Sequence, residues 1–226
     1  MILDPYTWHR LAITTVVRES PQAVSIAVQR PPGYDFAPGQ HAVVRVTLPS
    51  GGRLMRQYSF ASAPSDNTLW FTVIKTADGA VSTWFVDAAT PGDRIEISQP
   101  FTGPLAQDLS IVTRCTLIAG GSGIAPIMSH LRTLRTLPKP PQVSLLYTTR
   151  RDTQCYKDEL LAHAHETIDV RLTDISPRFD PDEIRQATSG ANVVLVCGSR
   201  QFVAQLRRIL DPVVASDRIY SEAFSL

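Results

Sequence analysis

Three of the chain's twelve glycines fall within four positions, in the run Gly120-Gly121-Ser122-Gly123-Ile124-Ala125-Pro126. A short apolar segment, Cys115–Ala119, precedes the run. Ile124, Ile127, Met128, Leu131 and Leu134 follow at helical spacing. The run therefore reads as a strand-to-helix turn. Glycines remove side chains where backbone must approach a ligand, and a helix N-terminus offers free N–H groups and a partial positive charge. A pyrophosphate needs that chemistry. Three stricter patterns fail: the GxGxxG fingerprint because Pro126 replaces its last glycine, the P-loop because no Gly-Lys-Ser/Thr follows, and the GxSxG elbow because of Ile124. Taken alone, the run is equally a tight turn with Pro126 in the first helical turn.

Around this turn, strand and helix patterns alternate. Val143–Tyr147, Ile168–Leu172, Val193–Cys197 and Arg218–Phe224 read as strands. Tyr156–His163, Pro181–Ala187 (opened by Asp180) and Phe202–Leu210 read as helices. Repeated βα units predict a doubly wound parallel sheet. Residues 1–105 read differently. Arg10–Arg18, Gln22–Arg30, Gln40–Leu48, Arg53–Phe60, Thr68–Lys75 and Arg94–Ser98 are short strands separated by turn signals, with one helix at Ala80–Ala88. This predicts a six-stranded antiparallel β-barrel. The boundary falls in the Pro- and Gly-containing stretch Pro100–Ser110, giving domains 1–105 and 106–226 within 226 residues.

Composition narrows the function classes. Twenty-two Lys and Arg against twenty-one Asp and Glu argue against a general nucleic-acid coat. No apolar run reaches the roughly 18–20 residues of a membrane span. Met1–Arg10 has no signal core, which predicts a cytoplasmic protein. Cys115, Cys155 and Cys197 form no CxxC pair and cannot supply a four-cysteine iron–sulfur site. His163 and His165 stand at i and i+2 on an expected helix and point apart, and His9, His41 and His130 lack ligand-spaced partners. No metal site is predicted. Arg132, Arg135 and Lys139 read as a solvated face, or as a docking surface for an acidic redox partner.

A second motif, Arg56-Gln57-Tyr58-Ser59, ends a strand. Arg can hold phosphate, Tyr can stack on a flat ring, and Ser can hydrogen-bond a ring nitrogen. With Gly120–Pro126, Cys197-Gly198-Ser199-Arg200-Gln201-Phe202 and the tail Ser221-Glu222-Ala223-Phe224, it makes four motifs in order. In this order they resemble the RxYS, GGxGxxP, CGxxxF and ExF motifs of the ferredoxin–NADP reductase superfamily, and the resemblance covers nearly the whole chain.

The resemblance implies roles. Arg56 would pair with a flavin pyrophosphate, Tyr58 would stack on the isoalloxazine with Gln57 beside it, and Ser59 would approach flavin N5. The backbone of Val73, Ile74 and Lys75 would line the flavin tail. Gly79-Ala80-Val81-Ser82 resembles a GxxS turn setting a helix N-terminus on the pyrophosphate; with Trp84-Phe85 behind it, the turn favours FAD over FMN. Gly120, Gly121, Ser122, Gly123, Ile124 and Pro126 would hold the nicotinamide nucleotide. Thr149, Arg150, Thr173, Asp174 and Arg178 would surround its ribose. Cys197 and Gly198 would sit near the nicotinamide. Glu222 would lie at the flavin edge, and Phe224 over the flavin face. Ser59, Cys197 and Glu222 are the implied catalytic residues. NADP-selective members often carry Ser-Arg or Thr-Arg where this chain has Thr173-Asp174. An Asp there favours free ribose hydroxyls, yet Arg150, Arg151 and Arg178 could supply the opposite charge, so NADH and NADPH both stay open. Gln99-Pro100-Phe101-Thr102-Gly103 departs from the family's usual GPxG at the domain junction.

The implied activity is an NAD(P)H-dependent flavoprotein reductase. It would pass electrons through FAD to a separate one-electron carrier, a small iron–sulfur protein such as a ferredoxin or a flavodoxin, feeding an oxygenase. Two alternatives remain: a reductase that treats flavin as substrate, and a non-catalytic flavin- or nucleotide-binding module.

Overall fold

In a computed structural model, residues 6–162 and 166–224 are described. The His163–His165 pair and the expected end of its helix lie outside them. Strands β1 (His9–Ser20), β2 (Ala23–Gln29), β3 (His41–Thr47), β4 (Arg53–Ser59), β5 (Thr68–Ile74) and β6 (Arg94–Ile97) form one antiparallel sheet in the order β4-β3-β6-β1-β2-β5. Their alternating apolar residues bury one face, with Ile13, Val24, Ile26, Val44, Phe71 and Ile95 at its centre. Helix α1 (Ala80–Asp87) adds Val81, Phe85 and Val86 to that core.

The expected barrel does not close as a continuous ladder. End strands β4 and β5 meet at a bridge between Phe60 and Phe71 and a 2.8 Å bond from the Ala61 N–H to the Trp70 carbonyl. Pairing then stops where Ala61–Pro64 turns away, since proline has no N–H to continue it.

The second sheet is parallel. Strands β7 (Arg114–Gly120), β8 (Gln142–Thr149), β9 (Thr167–Leu172), β10 (Val193–Ser199) and β11 (Ile219–Phe224) lie in the order β11-β10-β7-β8-β9. Helix α2 (Ile124–Arg135) packs Ile127, Met128 and Leu131 in one core, beside the short helix α3 (Lys157–Leu161). Helices α4 (Pro181–Thr188) and α5 (Arg200–Leu210) help build the other, with Ile184 and Leu206. The sheet is thus doubly wound, as expected. Helix α4 starts where Asp180 predicts. Its carboxylate accepts from the Asp182 and Glu183 amides at 2.8 and 2.9 Å, and Glu183 accepts from the Asp180 amide at 2.8 Å, a complete capping box. Helix α3 starts one residue later than expected because Tyr156 has φ +59°, outside the helical region.

Polar bonds join the two sheets. Ser129 Oγ donates to the Ser62 carbonyl at 2.7 Å, and Arg132 Nη1 to that of Ala61 at 2.8 Å. Arg132 and Arg135 are not the solvated face read from sequence. Arg132 is paired with Glu159, and Arg135 with Glu159 and Glu166. Those carboxylates come from beyond β8, so one-helix spacing could not reveal them.

Candidate functional site

Chain direction decides where a site can form. In an open parallel sheet, ligands bind beyond the carboxyl ends of strands, where strand order reverses. Here the reversal lies between β7 and β10. Gly120 ends β7, Thr148 and Thr149 end β8, Thr173 follows β9, and Ser199 ends β10. All five line one cavity of about 610 Å3. Its opposite wall comes from the first domain: Arg56, Gln57, Tyr58 and Ser59 on β4, Thr72 and Ile74 on β5, and Lys75, Thr76, Ala77, Gly79 and Ser82 at and before the head of α1. The two sequence motifs, more than sixty positions apart, thus face each other.

The glycine run has two separable demands. Gly121 has φ +54°, a left-handed conformation that disfavours side chains. Gly123 has an ordinary φ of −61° but no room, because a Cβ there would lie 2.2 Å from the Cys197 carbonyl oxygen. The head of α2 therefore rests on the end of β10, its first amides beside the cavity.

On the other wall, Tyr58 meets Phe85 edge-on, with ring centroids 5.8 Å apart. Burial pushes its phenol well above the usual range, against the lowering effect of Arg56, so the ring is neutral. Ser59 is buried and lines the cavity. In the GxxS turn, Ser82 Oγ donates to the Gly79 carbonyl at 3.0 Å and accepts from the Thr76 amide at 3.1 Å. That hydroxyl shapes the turn from within.

A second cavity of about 890 Å3 shares Arg56, Gln57, Ser59, Gly79 and Phe224 with the first and adds Tyr6, His41 and Glu222. Glu222 Oε2 and His41 Nδ1 are buried without a hydrogen-bond partner. Burial raises the Glu222 carboxyl above its usual range, opposed by the Leu105 N–H that donates to it; burial lowers His41. Leu105 also uses its carbonyl, 2.8 Å from His130 Nε2. Burial takes His130 down to about 4 while that hydrogen bond raises it, so the ring is neutral and Nε2 is the donor.

Several expected residues keep their side chains out of the cavity lining. Those of Val73, whose backbone carried the expectation, and Val81 are in the first domain's core, and those of Ile124 and Cys197 in the second's. Pro126, Gly123 and Gly198 are buried outside the cavity lining, and Ala80 is exposed. Burial first, and the nearby Glu222 charge second, hold the Cys197 thiol well above its ordinary range, so it is protonated. Asp174 is absent from the lining. Its carboxylate accepts from the Arg151 amide at 2.9 Å, whereas Arg150, Thr173 and Arg178 line the cavity.

Thr72, Thr148 and Thr153 also line the cavity but were not singled out in the sequence, and Ser199 and Phe202, quoted only within the CGxxxF motif and given no role, line it too. The strand-end rule would have found Thr148 and Ser199. His41 pairs in register with Ser59 across β3 and β4, a relation that needs the ladder. Among the described residues, no three His, Cys, Asp or Glu side chains group as metal ligands. No described helix is long and apolar enough to cross a membrane.

The donor set fits FAD and a nicotinamide nucleotide: a flat neutral aromatic and an Arg on one wall, and on the other a glycine cradle that a Cβ at Gly123 would disrupt. Such a fold and site define the two-domain flavin and nicotinamide oxidoreductases. Residues 10–105 match the oxidoreductase FAD-binding domain family and residues 117–208 the oxidoreductase NAD-binding domain family. The chain belongs to the ferredoxin–NADP reductase superfamily.

Among curated relatives, it is 30% identical to the ferredoxin reductase component of 3-ketosteroid-9-alpha-monooxygenase from Mycobacterium tuberculosis, over 95% of this chain and 64% of that one. It is 30% identical to methane monooxygenase component C of Methylosinus trichosporium, over 76% of this chain and 55% of that one. The chain thus spans less than two thirds of these relatives' length. A ferredoxin NADP+ reductase from Neisseria gonorrhoeae, crystallised with FAD and NADP, superposes with TM-score 0.82 at 21% identity, covering 96% of this chain and 98% of that one; this likeness is one of fold. Phthalate dioxygenase reductase superposes with TM-score 0.79 at 25% identity over 96% of this chain and 68% of that one.

Proposed function

We propose that this chain takes electrons from NADH or NADPH and delivers them, by way of FAD held between its domains, to a separate one-electron carrier. A small iron–sulfur or flavin protein in the cytoplasm, feeding an oxygenase, is the proposed acceptor. The observation that carries the reading is the cavity with Tyr58 and Ser59 on one wall and Gly120–Ser122 on the other. When bound, FAD would supply a two-electron acceptor able to release electrons singly.

The chain's own groups divide the remaining work. Arg56 and the amides heading α1 offer positive charge to the flavin pyrophosphate. Tyr58 presents a neutral ring face, and the Ser59 hydroxyl a hydrogen bond at the reacting edge. The Gly120–Gly123 turn and the head of α2 receive the nicotinamide pyrophosphate, with Thr149, Arg150, Thr173 and Arg178 around its ribose. Phe224 screens the ring from water, and Glu222 brings to the same rim a carboxyl whose burial favours its protonated form. Residues 1–105 form the flavin half and 106–226 the nicotinamide half. Cys197 supports the Gly123 turn from behind and takes no part as a nucleophile.

Anaerobic stopped-flow mixing with NADH and NADPH tests the proposal. The FAD-loaded protein should bleach within a turnover and then reduce an added [2Fe–2S] ferredoxin. A protein that binds neither FAD nor FMN, or whose bound flavin no nicotinamide bleaches, refutes it. Flavin that dissociates on every turnover would instead identify the free-flavin reductase.

A further inference from the structure

Tyr156 combines three features outside the machinery so far described. It is the one non-glycine residue with positive φ among those described, at +59°. It is almost completely buried, with Arg132 stacked 5.2 Å from its ring centroid. It also crosses the domain boundary: its hydroxyl contacts Thr72 on β5 and lies 3.5 Å from Ser25 Oγ on β2, while its amide donates to Glu19 Oε2 on β1 at 2.8 Å. A left-handed backbone is disfavoured at a bulky residue, so the surrounding contacts must hold it there.

The segment leading to Tyr156 begins in the cavity. Thr149, Arg150 and Thr153 line it, with the hydroxyls of Thr149 and Thr153 3.1 Å apart. Among them, the Asp152 carbonyl accepts from the Gln22 amide at 2.8 Å and from Ser20 Oγ at 2.9 Å in the β1–β2 turn. Eight residues, Thr149 to Tyr156, thus touch the nucleotide side of the cavity at one end and the flavin domain at the other. The far anchor, Thr72, lines the same cavity from the opposite wall. Ser25 and Thr72 lie 3.3 Å apart, so the Tyr156 hydroxyl completes a buried three-hydroxyl cluster.

We infer that the strap from Thr149 to Tyr156 couples nucleotide occupancy of the second domain to the wall of the flavin cavity, with Tyr156 as its positioning residue. The inference rests on the proposed function for its kinetic consequence but not for its structural one. A nucleotide ordering Thr149–Thr153 tightens a segment whose other end is pinned into β2 and β5. The Tyr156 hydroxyl then sets the distance between the two cavity walls.

The test compares Tyr156→Phe, which deletes only the hydroxyl, with the FAD-reconstituted native chain. Amide hydrogen exchange is followed with and without ADP-ribose. In the native protein ADP-ribose should slow exchange at Gln22–Ser25 and Phe71–Ile74. In Tyr156→Phe that protection should vanish while protection at Gly120–Ala125 persists. Flavin reduction by NADH should slow about ten- to hundredfold, the cost of misplacing reactants by a fraction of an ångström to an ångström, with the KM for NADH nearly unchanged. Thr72→Val should reproduce both effects from the other side of the contact, and Thr72→Ser should restore them, which keeps the test open if Tyr156→Phe folds poorly. Equal protection of β2 and β5 in native and Tyr156→Phe proteins, or none in the native protein, overturns the inference. So does native-like protection in Thr72→Val. Failure of any nicotinamide to bleach the native protein would refute the proposed function but leave the exchange comparison decisive.

Discussion

Replacing Gly123 by alanine separates room from conformation at the nucleotide turn. The new Cβ would stand 2.2 Å from the Cys197 carbonyl oxygen and 2.8 Å from the Gly198 nitrogen, both backbone atoms that no rotamer can move. Ordinary contact begins near 3.4 Å, so the head of α2 and the end of β10 must separate by roughly 1 Å in a close-packed interior. Overpacking of this kind costs about 1–3 kcal/mol, which lowers the urea midpoint by about 0.5–1.5 M for an unfolding slope near 2 kcal/mol/M. The same displacement moves the amides facing the cavity, so ADP-ribose affinity should fall about tenfold or more. Calorimetric titration with ADP-ribose, urea denaturation and flavin content are the assays, and flavin content should be unchanged because Tyr58 and Ser59 lie on the other wall. Gly121→Ala is the comparison. No atom lies within 4 Å of its Cβ, but φ is +54°, so it should cost only the backbone term of about 1–2 kcal/mol. A Gly123→Ala protein with native ADP-ribose affinity and native urea midpoint would refute the reasoning.

Three further outcomes follow from the site. Glu222 has a raised carboxyl, so between its ordinary value and its folded value the native state holds more protons than the unfolded one, and stability falls as pH rises through that window. Glu222→Gln should therefore gain stability over the native chain at neutral pH, a difference that thermal melts should find shrinking toward pH 4.5 and below. His130 has the opposite sign: lowered to about 4 from 6.5, it costs stability as pH falls through that interval, and His130→Gln, which can keep a donor toward the Leu105 carbonyl, should flatten the loss in urea titrations at stepped pH. Arg178→Ala should weaken NADPH more than NADH, since Arg178 lines the cavity while Asp174 is turned to the Arg151 amide; equal losses in KM for both would show that Arg178 does not reach a 2′-phosphate.

Much of this architecture was legible because it depends on local order along the chain. Gly120–Gly123 between an apolar strand and a helical stripe announced its turn, and Asp180 announced the start of α4. The motif order 56–59, 120–126, 197–202, 221–224 then carried the family resemblance. What stayed hidden depends on partners far away in sequence. Arg132 and Arg135 read as solvated because their carboxylates, Glu159 and Glu166, lie on other segments. The bond from the Arg151 amide to the Asp174 carboxylate was hidden too, because spacing cannot show a carboxylate turning to a loop amide. Tyr156 read as the first residue of a helix, and Thr72 only as one position in the strand Thr68–Lys75, because nothing local reveals a contact spanning eighty-four positions. The unclosed barrel belongs to the same class, since strand order alone does not say where Ala61–Pro64 halts the final pairing.

The second cavity is lined by Tyr6 near one end of the described chain and by Glu222, Ala223 and Phe224 at the other. Segments more than two hundred positions apart in sequence therefore meet at one opening. A carrier tethered beside either segment by a short flexible linker would see the cavity at millimolar effective concentration. In a self-sufficient fusion built from this module, linker length would then set acceptor turnover.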